Sequence, residues 1–502
     1  MLARSRKSKR IIRKPIPQRK PADYWSEHQN KIFKHVAEST GHSVVLASPG
    51  AGKSTTIVES LHHVPSGEES LCLAFNKSVA SELTLKVPLG TEARTFHRLG
   101  LNTVREHWGK TYNLSGRDCI DQNDDGAMML AASAVGASDS SLKLRENIVW
   151  AVKMAKTMLA HTPQEIEAVC KAFGISASGI DAKDFCLHVH NMLNVMKREP
   201  LTVNGNKVIS FDDMLWLPHV HGWIPKQYDR VFVDEAQDLS ASRVNLVMKA
   251  LKPGGRLCAV GDRHQCIYGF AGADSKVIDK FIGDMNAEEL PLSVSYRCPR
   301  KVVELAADIN PDIQAADNAI EGEIRHLAPE HLAQSLRAGS SAVLSRNNFQ
   351  LVSTAFNLIQ GGVRATIIGK DIGNRFNWRI GNWNASTVGG LQREISDWRE
   401  EMCAAQNKNS KNLGRINDEA SSIMRFTEGA NTVQQVQTRI KDFFSEKGDD
   451  HVKLSTCHKA KGLEWDHVYM LEDTFKPGKN QEEDNICYVS LTRCRKSLTF
   501  VR

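Results

Sequence analysis

The chain has 502 residues, 41% of them hydrophobic and 25% charged, which predicts several domains of ordinary globular character. No apolar run approaches the roughly 20 residues of a membrane helix, so no membrane partner is expected. The 11 cysteines are scattered without a CxxC pair, which argues against a disulfide framework or zinc site and for free thiols in a reducing, cytoplasmic compartment.

In chain order, the first feature is a basic arm, residues 1–22. Residues 1–20 carry nine Lys or Arg and no acid; removing those nine from 65 basic residues leaves 56 against 58 acidic ones, so the net charge of +7 is local. Such an arm is too polar to bury and suits a phosphate-seeking tail. A solvated terminus and an Arg-rich transit peptide are the alternatives; the long apolar stretch of a secretory signal is missing.

Next, "SVVLASPGAGKSTTIVESL" reads as a strand, a glycine-bearing loop and a helix. Ala47, Ser48, Pro49, Gly50, Ala51, Gly52, Lys53, Ser54 and Thr55 fit a P-loop with Ala in place of the first Gly. Gly50 and Gly52 let backbone N–H groups close around phosphates, Lys53 neutralises their charge, and Ser54 suits Mg²⁺. Residues 106–205 follow with a mainly helical pattern, as in "RENIVWAVKMAKTML".

The complementary half of an ATP site is an apolar strand ending in acid, and "YDRVFVDEAQD" supplies it. Asp234 suits Mg²⁺, and Glu235 can orient or deprotonate an attacking water. "RLCAVGD" is another buried-type strand, continuing into "VGDRHQCIYGF", where Gln265 stands beside Tyr268 and Phe270. An amide next to two aromatics reads as a loop touching two ligands. Strands return in "SAVLSR", "VRATIIG", "VKLSTCHKAKGLEW", "HVYMLE" and "KSLTFV", a second α/β unit without a P-loop of its own. Residues 371–450 are polar and helix-prone, with a loop-like "QNKNSKN". The expected class is α/β, with parallel sheets carrying ligands at their strand C-termini.

The ordered motifs resemble the superfamily 1 helicases, in their UvrD/Rep-like branch. Beside the two ATP motifs stand "EHQNKIF", "LAFNKSVASEL", "RTFHRLG", "ISFDDMLWL", "VGDRHQCIYGFAGA", "LSVSYRCP", "STCHKAKGLEWDHV" and "EEDNICYVSLTRCR". The resemblance covers nearly the whole chain and implies two RecA-like motor domains with two inserted accessory regions. It places the first motor domain in 23–105 and 206–290, a helical insertion in 106–205, the second motor domain in 291–370 and 451–502, and a reduced insertion in 371–450.

The resemblance also assigns roles. Gln29 reads adenine, Tyr296 stacks on it, Glu464 holds the ribose side, Gln265 senses the γ-phosphate, and Arg297 and Arg493 act as arginine fingers. Phe75, Thr95, His97, Tyr268 and Phe270 contact DNA. It implies ATP and Mg²⁺ as cofactors, and as partners single-stranded DNA and single/double-strand junctions, with RNA as an alternative strand. It implies 3′-to-5′ movement in replication, recombination or repair, by a compact motor of the prokaryotic or phage type; no loading partner is legible. A single-strand translocase that strips proteins and unwinds weakly is the alternative, motivated by the reduced insertion. Ala271 stands where the family usually has Arg, and Cys457 and Lys459 where it often has Leu and Ser.

Overall fold

The computed structural model describes residues 20–21, 24–136, 142–175, 179–404, 411–444 and 450–502. The basic arm lies almost wholly outside the described residues.

Six strands form the first sheet: β1 (Ser43–Ala47), β2 (Ser70–Ala74), β3 (Thr91–Thr95), β4 (Tyr228–Val233), β5 (Leu251–Gly261) and β6 (Glu288–Leu292). Their order is β3-β2-β4-β5-β1-β6, and every pairing is parallel. The unbroken apolar runs explain this. Val44, Val45, Leu71, Leu73, Val231, Phe232 and Val233 are all buried, as strands covered by helices on both faces require.

Six more strands form a second parallel sheet: β7 (Glu323–Leu327), β8 (Ser341–Ser345), β9 (Ala365–Ile367), β10 (Val452–Thr456), β11 (Trp465–Leu471) and β12 (Cys494–Val501). Their order is β7-β12-β11-β8-β10-β9. The fold is α/β with two RecA-like sheets. The 11 cysteines are free, and all but Cys403 are buried.

The first insertion is a helical body around Leu142–Met158, with Ile148, Val152, Phe185, Val189, Met192 and Trp216 in one core. Its limits differ from the expected ones. The helix Phe96–Tyr112 runs unbroken through 105/106, because Leu101, Val104 and Trp108 continue its apolar stripe into the insertion's core. At Gly100 that helix passes so close to the Met214 carbonyl that a Cβ would overlap it. The strand Asn206–Ser210 pairs with Leu201–Val203 and with Ile120–Asp121, so the expected boundary at 205/206 falls inside a hairpin. The boundary at 290/291 falls inside β6, which pairs with β1 as far as Leu292.

The second insertion holds helices Lys370–Asn382, Val388–Ala404, Lys411–Thr427 and Val433–Phe443. Phe376, Ile395, Ile423, Phe426, Val436 and Ile440 share one core with Leu351, Val352 and Leu454 of the second sheet's own layer. Most of the Lys/Asn-rich stretch lies outside the described residues.

Candidate functional site

The C-terminal ends of the first sheet's strands carry the chemistry, as they do in open parallel sheets. Beyond β1 the chain turns through Gly50 and Gly52, at φ +75° and +80°, and enters the helix Lys53–Leu61. Gly52 provides no side-chain cap, leaving the N-terminus of that helix suited to an anion. A Cβ at Gly50 would overlap Arg297, so glycine there is also a packing requirement.

Beyond β4, Asp234 is 5% exposed, and its carboxylate accepts from the Ser54 hydroxyl (3.4 Å) and the Glu235 N–H (2.9 Å). Burial and the neighbouring Glu235 charge push the Asp234 carboxyl up. Burial acts on Glu235 in the same sense, but Lys53, Lys461, Gln237 and Arg493 outweigh it and hold that carboxylate down. Lys53 Nζ is 4.0 Å from Glu235 Oε1. Glu235 also stands at φ +52°, a backbone region that costs a non-glycine residue of order 1–3 kcal/mol and clusters at functional sites. A hydroxyl and a buried carboxylate needing a counter-cation are hard oxygen donors, so Ser54 and Asp234 fit Mg²⁺. Such an ion would neutralise phosphate charge beside Lys53.

The segment after β6 is stitched to the glycine loop. Ser48 N–H donates to the Leu292 carbonyl (3.0 Å), Ser295 Oγ to the Pro49 carbonyl (2.7 Å), and Tyr296 N–H to the Gly50 carbonyl (3.1 Å). Tyr296 is 57% exposed beside that loop, free to present a ring face. Gln29 lies against it too, but its amide already receives the Ser26 N–H in a capping box and donates to Thr56 Oγ1 (2.9 Å). Ala47, Ala51 and Ser48 are buried, whereas Thr55 is exposed on the following helix.

The two arginines differ. Arg297 Nε donates to Glu464 Oε2 (2.5 Å), a carboxylate shared with Arg495. Arg493 is 1% exposed, and its guanidinium donates to the Val489 and Leu463 carbonyls and to Thr492 Oγ1. Burial and the Arg297 cation push Arg493 down from the usual guanidinium range. Both arginines therefore have partners in the second half of the molecule, and reaching a phosphate requires each to exchange them.

Gln265 is buried and donates to Asp262 Oδ2 (2.8 Å). The loop after it enters the second sheet's layer: Ile267 is fully buried in that core. Asn485 Nδ2 donates to the Cys266 carbonyl (2.9 Å), and His458 Nε2 lies 3.1 Å from the Ile267 carbonyl. The two aromatics separate here. The Tyr268 hydroxyl donates to the His458 carbonyl (2.9 Å) and its ring packs under Lys461, whereas Phe270 is 51% exposed. The two rings therefore differ in role, because Tyr268 spends its hydroxyl and one face on the seam between the sheets. Thr95 likewise uses its hydroxyl to cap the helix Phe96–Tyr112. Phe75 packs on Phe96, and His97 meets the half-exposed Phe211 edge to face at 5.6 Å.

Three further polar residues, Lys461, Asp238 and Gln237, belong to the site without having been expected there. Lys461 Nζ donates to Asp238 Oδ2 (2.6 Å) and to the Gln265 carbonyl (2.8 Å), joining the two halves through a buried ion pair. Gln237 donates to Glu235 (2.6 Å) and accepts from the Asp262 N–H (3.0 Å). The closing "QD" of "VDEAQD", polar residues in an otherwise buried run, was the available signal.

Two parallel-sheet domains, a phosphate-type loop on the first and basic residues facing it from the second, define a two-domain P-loop NTPase. The UvrD/REP helicase N-terminal domain family matches residues 25–286, and the UvrD-like helicase C-terminal domain family matches residues 382–502. The chain belongs to the UvrD/Rep helicase family. It is similar to the F-box DNA helicase protein 1 of Schizosaccharomyces pombe, 24% identical over 90% of this chain and 55% of that protein. It is 22% identical to the F-box DNA helicase 1 of Gallus gallus, over 95% of this chain and 50% of that protein. The ATP-dependent DNA helicase Rep of Escherichia coli is 22% identical over 92% of this chain and 88% of its own length. The chain thus spans about half the length of the two F-box relatives.

Proposed function

We propose that the protein is an ATP-dependent DNA helicase that moves 3′ to 5′ on single-stranded DNA and acts at single/double-strand junctions in replication, recombination or repair. The observation that carries this reading is the seam at Lys461, where the second half touches both Asp238 and Gln265 beside Lys53, Asp234 and Glu235. A seam built there ties nucleotide chemistry to the relative position of the two sheets. In this reading ATP is held by residues 47–55 with Gln29, Tyr296 and Glu464, and Mg²⁺ by Ser54 and Asp234. Glu235 orients or deprotonates the water, Gln265 senses the γ-phosphate, and Arg297 and Arg493 stabilise transition-state charge. Phe75, Thr95, His97, Tyr268 and Phe270 line the path of the strand.

A second reading, a translocase that strips proteins and separates duplex weakly, is favoured by one observation. Among the described residues the second insertion is four helices whose core merges with that of the second sheet, leaving little independent body to engage a duplex. A strand-displacement assay run beside a translocation assay, on DNA and on RNA, separates the readings. Helicase action predicts unwinding of a 3′-tailed DNA duplex at a rate comparable to translocation. Translocation without displacement supports the second reading, and activity on RNA alone contradicts both DNA readings.

A further inference from the structure

At the N-terminal end of the helix Ala241–Ala250, just past β4, lies a cation the preceding assignments leave unused. The Arg243 guanidinium lies 5.0 Å over the Phe75 ring. Its Nε is buried and has no hydrogen-bond partner among the described residues. A buried guanidinium N–H left without an acceptor is costly, so it marks a place where an acceptor belongs. A complementary orphan sits nearby. Asp238 Oδ1 is buried and also unpartnered among the described residues, while its other oxygen takes the Lys461 ammonium. The two groups are close enough for each to act on the other's charge, as Asp212 also acts on Arg243.

Around Arg243 the surface has the character of a strand path. Phe75 follows β2, and His97 follows β3 with Phe211, 45% exposed, at its edge. Aromatic faces flanked by a cation suit a nucleic-acid backbone with its bases.

We propose that Arg243 is a strand-sensing residue: with a strand bound it donates to a backbone phosphate passing over Phe75, and without one its charge is left to act on Asp238. This rests on the function proposed above and names the group that reports the strand to the ATP site. A phosphate that takes up the Arg243 charge strengthens the hold of Asp238 on Lys461. Lys461 in turn holds the Gln265 carbonyl and lends charge to Glu235.

The test uses the full chain and a fluorescein-labelled oligodeoxythymidylate, with anisotropy read across a potassium chloride series. Each phosphate neutralised on a single strand contributes about 0.7 to the slope of log affinity against log salt. Arg243→Gln is expected to lower that slope by about 0.7, and Arg243→Lys, which keeps the charge, to restore it. Asp238→Asn, which removes the carboxylate charge that competes for Arg243, is expected to tighten strand binding severalfold. An unchanged slope in Arg243→Gln overturns the proposal, as does weakened or unchanged binding in Asp238→Asn. Absence of strand-stimulated hydrolysis in the wild type sinks the proposed function instead, so the two failures are distinguishable.

Discussion

Glu235 holds a left-handed backbone beside a buried carboxylate, and its ionised form survives there because Lys53 and Lys461 outweigh desolvation. Glu235→Gln keeps the shape and removes the base, so strand-stimulated turnover should fall by about 10²–10⁴-fold, measured as phosphate release at saturating ATP. Near-normal release would show that the water is activated elsewhere. The two arginines separate by their partners. Arg297→Ala breaks a half-exposed pair with Glu464 and should cut turnover by about 10³-fold with little change in melting temperature. Arg493→Ala takes a buried donor from the Val489 and Leu463 carbonyls and should lower turnover and melting temperature together. Equal melting temperatures for the two variants would contradict this division. Lys53, Asp234 and Glu235 were legible in sequence because each sits in a short run whose order alone implies strand, loop and helix. The Lys461–Asp238 pair was not, since it joins residues 223 positions apart that only the docking of two sheets brings together.

At the scale of elements, the loop after β5 belongs to both halves, which explains its composition. Ile267 is buried in the second core, Tyr268 is tied to the carbonyl of His458, and Phe270 is left facing outward. Phe270→Ala should weaken strand binding by about 1–3 kcal/mol and leave the melting temperature unchanged. Tyr268→Ala should lower the melting temperature, because it removes a seam contact; the reverse pattern would exchange their roles. The seam also titrates. Burial, with the Arg346 cation, pushes His458 down to about 4 from its ordinary value of 6.5. The folded protein therefore holds this imidazole neutral, and its stabilising contribution is full above pH 6.5 and lost as pH falls toward 4. His458→Gln should lose less stability than the wild type across that window, read as melting temperature at a series of pH values. A constant difference between the two proteins would show that His458 does not titrate in the seam. Element type was readable from apolar runs, but element limits were not. The helix Phe96–Tyr112 and the strand Asn206–Ser210 obey packing partners beyond the motifs that located the domains.

For the whole molecule, two RecA-like sheets share one seam, and the proposed function requires hydrolysis at that seam to answer to the strand. The seam is polar where the nucleotide chemistry sits, at Lys461, Asp238 and Gln265, and apolar where Ile267 enters the second core. The most direct measurement is the rate of ATP hydrolysis by the full chain, with and without single-stranded DNA, for the wild type and for Lys53→Ala. The expected result is a low basal rate in the wild type, strong stimulation by the strand, and neither in Lys53→Ala despite an unchanged circular-dichroism spectrum. A wild-type rate indifferent to the strand, or hydrolysis retained by Lys53→Ala, would contradict it.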